Sequence, residues 1–176
     1  ITLDILKSTS ILEFHAGRNL QLGRVQVQTQ DGDMYTVTPT IHHDRERAMV
    51  KLPKKLGENE RVYLSTGFRA AIDRSLRGFY YSTWAHEGQM GRYALTQFEP
   101  TSARRAYPGW DEPAYKANFT FRMLHRVNTT ALANMPSAYE RSVDKEQVHQ
   151  LLQTRSSGLS LHQYNLDEWL LTEFET

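Results

Sequence analysis

Residues 97–119, QFEPTSARRAYPGWDEPAYKANF, hold three prolines, five aromatics, three acids and three bases in one non-repetitive run. Side chains of these types can do several kinds of chemistry, and their spacing excludes most of it. Asp111 and Glu112 are adjacent, and neighbouring carboxylates diverge, whereas the paired acids of a glycosidase must flank a sugar from two sides. Arg104, Arg105 and Lys116 are too few to line a nucleic-acid groove. Upstream, His86-Glu87-Gly88-Gln89-Met90 approaches H-E-x-x-H, the pattern that puts two imidazoles one helical turn apart on a zinc ion. Met90 stands where the second histidine is needed, and Gly88 makes a poor helix interior. His42 and His43 are neighbours on a strand, point to opposite faces and do not converge on a metal. No G-x-S-x-G elbow and no G-x-x-x-x-G-K phosphate loop occurs. The chain is therefore expected to hold neither a metal nor a catalytic centre.

The elements that position these residues are mostly strands. Arg24 to Gln30 alternates valine and threonine with glutamine, the period of a half-buried strand. Asp31-Gly32 supplies a turn, and Met34 to Ile41 reads as the returning strand of a hairpin. Ile1-Leu3-Ile5, Leu12-Phe14, Ala48-Val50-Leu52 and Val62-Leu64-Thr66-Phe68 continue the alternation to about Thr83. Lys54 to Asn59 reads as a polar loop. Asp111-Glu112-Pro113 reads as a short helix start, with Asp111 as cap and Pro113 in the first turn. A strand resumes over Phe119-Phe121-Met123. Residues 144–153 read as a longer helix with Val148, Leu151 and Leu152 on one face; Ser156-Ser157-Gly158 ends it, and Trp169 to Phe174 forms a last strand. The expected fold is mainly β, antiparallel curved sheets or a β-sandwich with short helices.

With 176 residues and a net charge of +1, the chain is long enough to bury roughly 70% of its unfolded surface and carries no electrostatic footprint for nucleic acid. It has no cysteine, so disulfides and thiolate metal sites are excluded. No apolar run approaches the roughly 18 residues that span a bilayer. Asn118-Phe119-Thr120 and Asn128-Thr129-Thr130 are N-glycosylation sequons, which would place the parent protein outside the cytosol, as an extracellular or membrane-anchored ectodomain, with a cytoplasmic setting as the alternative. Trp84, Trp110 and Trp169 would matter to a carbohydrate-binding sandwich only as an exposed platform; core packing is the simpler role.

The central run resembles Q-F-E-x-T-x-A-R-R-x-x-P-x-x-D-E-P-x-x-K-x-x-F of the zinc aminopeptidases that include aminopeptidase N and puromycin-sensitive aminopeptidase. The resemblance extends along the chain: Ile11 to Ala16 (ILEFHA), Tyr63 to Tyr80 closing in L-x-G-F-Y, and Asn134-Met135-Pro136 match in order and spacing. Ala133 replaces a serine, and Gly109 stands where a cysteine is usual before W-D-E-P.

This resemblance implies the saddle-like amino-terminal domain of a larger enzyme. Residues 1–176 would form one such domain, cut at both ends, whose partner is the missing catalytic domain. Zinc, the general base and the hydrolysis of peptides with a free amino terminus would belong to that parent, and this chain alone would be inactive. Gln97 and Glu99 are implied to face the substrate's amino terminus, since an α-ammonium entering a partly desolvated pocket requires an acid. Arg104, Arg105, Asp111, Glu112 and Pro113 are implied to be structural. The segment near 144–165 is longer than expected and reads as a surface elaboration. The alternative function is a non-enzymatic interaction module that keeps the β domain and has lost catalysis.

Overall fold

The computed structural model describes residues 1–153 and 169–176, which form two compact units, residues 1–115 and residues 116–153 with 169–176. The described chain is mainly β, as its alternation predicts. In the first unit lie β1 (Thr2–Asp4), β2 (Thr9–His15), β3 (Leu20–Thr29), β4 (Met34–Val37), β5 (Thr40–His42), β6 (Arg47–Leu56), β7 (Arg61–Ala70), β8 (Gly78–His86) and β9 (Gln89–Gln97), followed by a 3-10 turn at Ala103–Arg105. One sheet has the order β1-β7-β3-β4, a second β2-β6-β5, and β8-β9 stands as a hairpin. Every pairing is antiparallel.

The alternation of β3 turns Val25 and Val27 inward, both fully buried, and Gln26 and Gln28 outward. Val62 and Leu64 of β7 meet them, and the opposing sheet contributes Leu12, Phe14, Val50 and Leu52 to the same cluster. Each such side chain contributes roughly 1.5–3 kcal/mol by leaving water.

Two readings need correction here. Met34 to Ile41 is not one strand, because β4 pairs with β3 while β5 pairs with β6. Pro39 lies between them and has no N–H to continue a ladder, so the chain crosses from one sheet to the other there. Lys54 to Leu56 belongs to β6 rather than to a loop: Leu56 is 2% exposed, and its burial draws the two solvent-facing lysines into the strand.

The second unit holds β10 (Arg122–Arg126), β11 (Ser137–Val143), α1 (Lys145–Gln153) and β12 (Trp169–Phe174), with sheet order β10-β12-β11. Asp144 starts the helix reciprocally: its Oδ1 accepts from Gln147 N at 2.8 Å, while Asp144 N donates to Gln147 Oε1 at 3.2 Å. Val148 is fully buried against Val143 and Leu171. The helix thus packs on the small core of its own unit; residues 154–165 of the longer segment, with Ser156-Ser157-Gly158, lie outside the described residues. The strand after the central run begins only at Arg122. Phe119 and Phe121 precede it and are exposed, and the Phe121 ring stacks on Phe174 at 5.6 Å. His125, buried on β10, is satisfied by Thr129 Oγ1 at 3.1 Å and Thr172 Oγ1 at 2.9 Å.

Candidate functional site

The near-match to a zinc motif is the tip of a hairpin. Glu87 and Gly88 both adopt left-handed backbone, φ 49° and 78°, the conformation of a two-residue turn whose twist suits the strands it joins. His86 and Glu87 are exposed there, with Nε2 and Oε1 3.7 Å apart. Among the described residues no group of three or more His, Cys, Asp or Glu side chains could hold a metal ion. A zinc site therefore does not fit this part of the chain.

From that turn, β9 runs to Gln97, which pairs with Gly78 at the base of β8. Gln97 and Glu99 are both exposed, and neither side chain has a hydrogen-bond or ion-pair partner among the described residues. Glu99 sits in a turn closed by Ser102 N donating to Phe98 O at 2.6 Å, and its bond to Pro100 is cis. Phe98 turns the other way and meets the edge of Tyr107, ring centroids 5.8 Å apart.

Beyond the turn the chain is tied down at each step. Gly17 N donates to Arg104 O at 2.7 Å, and Asn19 Nδ2 donates to Arg105 O at 2.9 Å. Arg104 reaches Asp111 three times: its backbone N and its Nε donate to Oδ2 at 3.2 and 2.8 Å, and its Nη2 to the Asp111 carbonyl at 3.2 Å. Both side chains are more than four-fifths buried. That engagement explains why Asp111 caps no helix. Glu112 and Pro113 form a single turn, closed by Tyr115 N donating to Glu112 O at 3.1 Å. Arg105 leans toward Asp73, with Nη2 and Oδ2 3.9 Å apart.

His15 joins the two ends of this lock. It exchanges backbone hydrogen bonds with Gly109, 2.8 and 3.0 Å, and its Nδ1 accepts from Asp111 N at 3.2 Å. The acceptor role puts the ring proton on Nε2, which faces Glu112 Oε1 at 3.8 Å; Arg47 Nη2 lies 3.5 Å from the same oxygen. Burial, reinforced by the Arg104 and Arg47 charges, holds the His15 imidazole below its usual pKa. The arrangement is a neutral histidine in an ionic frame, with no open face for proton transfer, since His15 is 3% exposed.

Arg104, Asp111 and Glu112 thus converge on His15, while Arg105 holds the other side of the same segment and the exposed Gln97 and Glu99 take no part in its hydrogen bonds. Asn118 and Asn128 are exposed in the second unit. Reasoning from types and spacing did not find His15, Asn19 or Gly78 as partners of the run. Gly78 carried a readable signal: the glycine of L-x-G-F-Y has φ 69°, and a Cβ there would lie 2.7 Å from that of Arg105. Only glycine satisfies both constraints.

Fold and site together define a mainly β chain in which two exposed polar residues, Gln97 and Glu99, precede a buried ionic frame. The comparison with known families makes this specific: a family model described as the Peptidase M1 N-terminal domain matches residues 1–156, and the chain belongs to that family. It is similar to glutamyl aminopeptidase of Bos taurus, 32% identical over 150 residues that cover 82% of this chain and 16% of that protein. Puromycin-sensitive aminopeptidase of Caenorhabditis elegans is 34% identical over 137 residues, covering 77% of this chain and 14% of that protein. Human endoplasmic reticulum aminopeptidase 1 is 33% identical over 140 residues, covering 77% of this chain and 15% of that protein. The chain spans about a sixth of the length of these relatives.

Proposed function

We propose that this chain is the substrate-edge domain of a zinc-dependent aminopeptidase, in which Gln97 and Glu99 receive the free amino terminus of a peptide. The observation that carries this reading is the contrast at Glu99. Its carboxylate is exposed and without a partner, yet the segment that follows is fixed by the Arg104–Asp111 pair and by His15. A free carboxylate on a fixed base is what a charged α-ammonium needs, because a pre-positioned acid loses little entropy on pairing. Metal, general base and the groups that stabilise the transition state would come from the remainder of the parent protein, since the described residues hold no cluster of metal-ligating side chains.

In the full-length enzyme Glu99→Ala should raise KM for peptides with a free amino terminus by about one to two orders of magnitude, the range set by losing a charge-assisted pair of about 1.5–3 kcal/mol. Steady-state kinetics with free and N-acetylated peptides reads this directly. Equal turnover of both by the unmutated enzyme would remove the proposed role. A parent that enters the secretory pathway would carry glycans at the exposed Asn118 and Asn128. Loss of mass at these asparagines on glycosidase treatment of the natural protein checks that assignment, and unmodified asparagines contradict it.

A further inference from the structure

The β8–β9 hairpin has two unlike faces. Its register pairs Tyr80 with Leu95, Ser82 with Tyr93, Trp84 with Gly91 and Gly78 with Gln97 on one face; the other pairs Tyr81 with Ala94, Thr83 with Arg92 and Ala85 with Met90. On the second face the Tyr81 ring is covered by the guanidinium groups of Arg92 and Arg74, 5.2 and 5.9 Å from its centroid. Beyond its base, where Gly78 abuts Arg105, the first face has no such cover; it carries no Asp, Glu, Lys or Arg and ends at the tip with His86 opposite Gln89. Trp84 and Tyr93 stand 45% and 48% exposed on it, with the Trp84 indole lying across Gly91, where any Cβ would collide with the ring.

A two-stranded hairpin is marginal in water by itself, and a charge-free, aromatic-rich patch is the composition of a buried interface core rather than of a solvated surface. Gln97 ends the same face, so whatever covers Tyr80, Trp84 and Tyr93 also borders the proposed amino-terminus edge. The relatives have about five times the length of this chain, which supplies a covalently attached occupant.

We infer that the Tyr80–Trp84–Tyr93–Leu95 face of the β8–β9 hairpin is the seat on which the catalytic portion of the parent protein docks, leaving the Arg92–Met90 face in solvent. This rests on the aminopeptidase reading, and it makes the hairpin the strut that carries Gln97 to the catalytic centre.

Hydroxyl-radical footprinting of the full-length protein and of the 176-residue chain tests it. Trp84 and Tyr93 should be oxidised about fivefold or more slowly in the full-length protein, as burial in an interface core requires, while Met90 on the opposite face stays within about twofold. Equal oxidation of Trp84 and Tyr93 in the two forms overturns the inference. Protection that appears only on adding a peptide with a free amino terminus also overturns it, and makes the face a peptide subsite instead. The footprint is independent of Glu99: if selectivity for free amino termini fails while Trp84 and Tyr93 stay protected, the role of Glu99 falls and the docking face stands.

Discussion

The stretches on either side of Gln97–Glu99 are built in opposite ways. Before it, β8 and β9 are exposed over most of their length, with ladder bonds to each other and aromatic rings left open on one face. After it, residues 102–112 are bound to β2 and the segment following it through Gly17, Asn19 and His15, and are sealed by the Arg104–Asp111 pair. One side is fixed within the chain, and the other depends on what covers it. A recognition edge placed between the two inherits its position from the fixed side and its surroundings from the covered one.

The largest test breaks the fixed side. Removing one partner of a well-buried, hydrogen-bonded ion pair strands the other charge, and costs about 3–5 kcal/mol. Asp111→Ala leaves Arg104 in that position, with side chains that are only 12% and 14% exposed in the native pair. Denaturant unfolding of the chain should show a loss of that size, with Trp84→Ser as the matched change on the open hairpin costing under about 1 kcal/mol, the scale of an exposed cross-strand contact. If the two substitutions cost the same, the contrast between locked and open sides is wrong.

How much of this was legible follows from the kind of contact involved. Strands β3, β6 and β7 could be read because their burial alternates along the sequence, and α1 because Val148 and Leu151 recur on one side of a segment that begins at Asp144. The end of β8 and all of β9 could not, since an exposed hairpin keeps no apolar alternation; only Gly88 hinted at its turn. Trp84 was assigned to a core for the same reason. In the site, the family resemblance implies a structural role for Arg104 and Asp111, which pair across seven residues; the second partner of Asp111, His15, lies 96 residues away, and no local period encodes such a contact. The helix expected at Asp111 does not form because the Arg104 guanidinium and backbone N, seven residues upstream, outcompete a local cap for the same carboxylate.

A smaller effect sharpens the same contrast through pH. His15 is held below its ordinary value of 6.5, first by burial and then by Arg104 and Arg47, so the folded chain resists a proton that the unfolded chain accepts. Above about pH 6.5 the imidazole is neutral in both states and its contribution is fully present; as pH falls below that, the unfolded state binds the proton first, and stability drains away until the lower folded value is passed. Protonation would also remove the Nδ1 acceptor of the Asp111 N–H, loosening the locked side and leaving the hairpin untouched. His15→Asn keeps a neutral acceptor and loses the titration, so its melting temperature should fall less steeply between pH 7 and pH 5 than that of the unmutated chain. Parallel slopes would show that another group carries the acid sensitivity and that His15 serves the lock by shape alone.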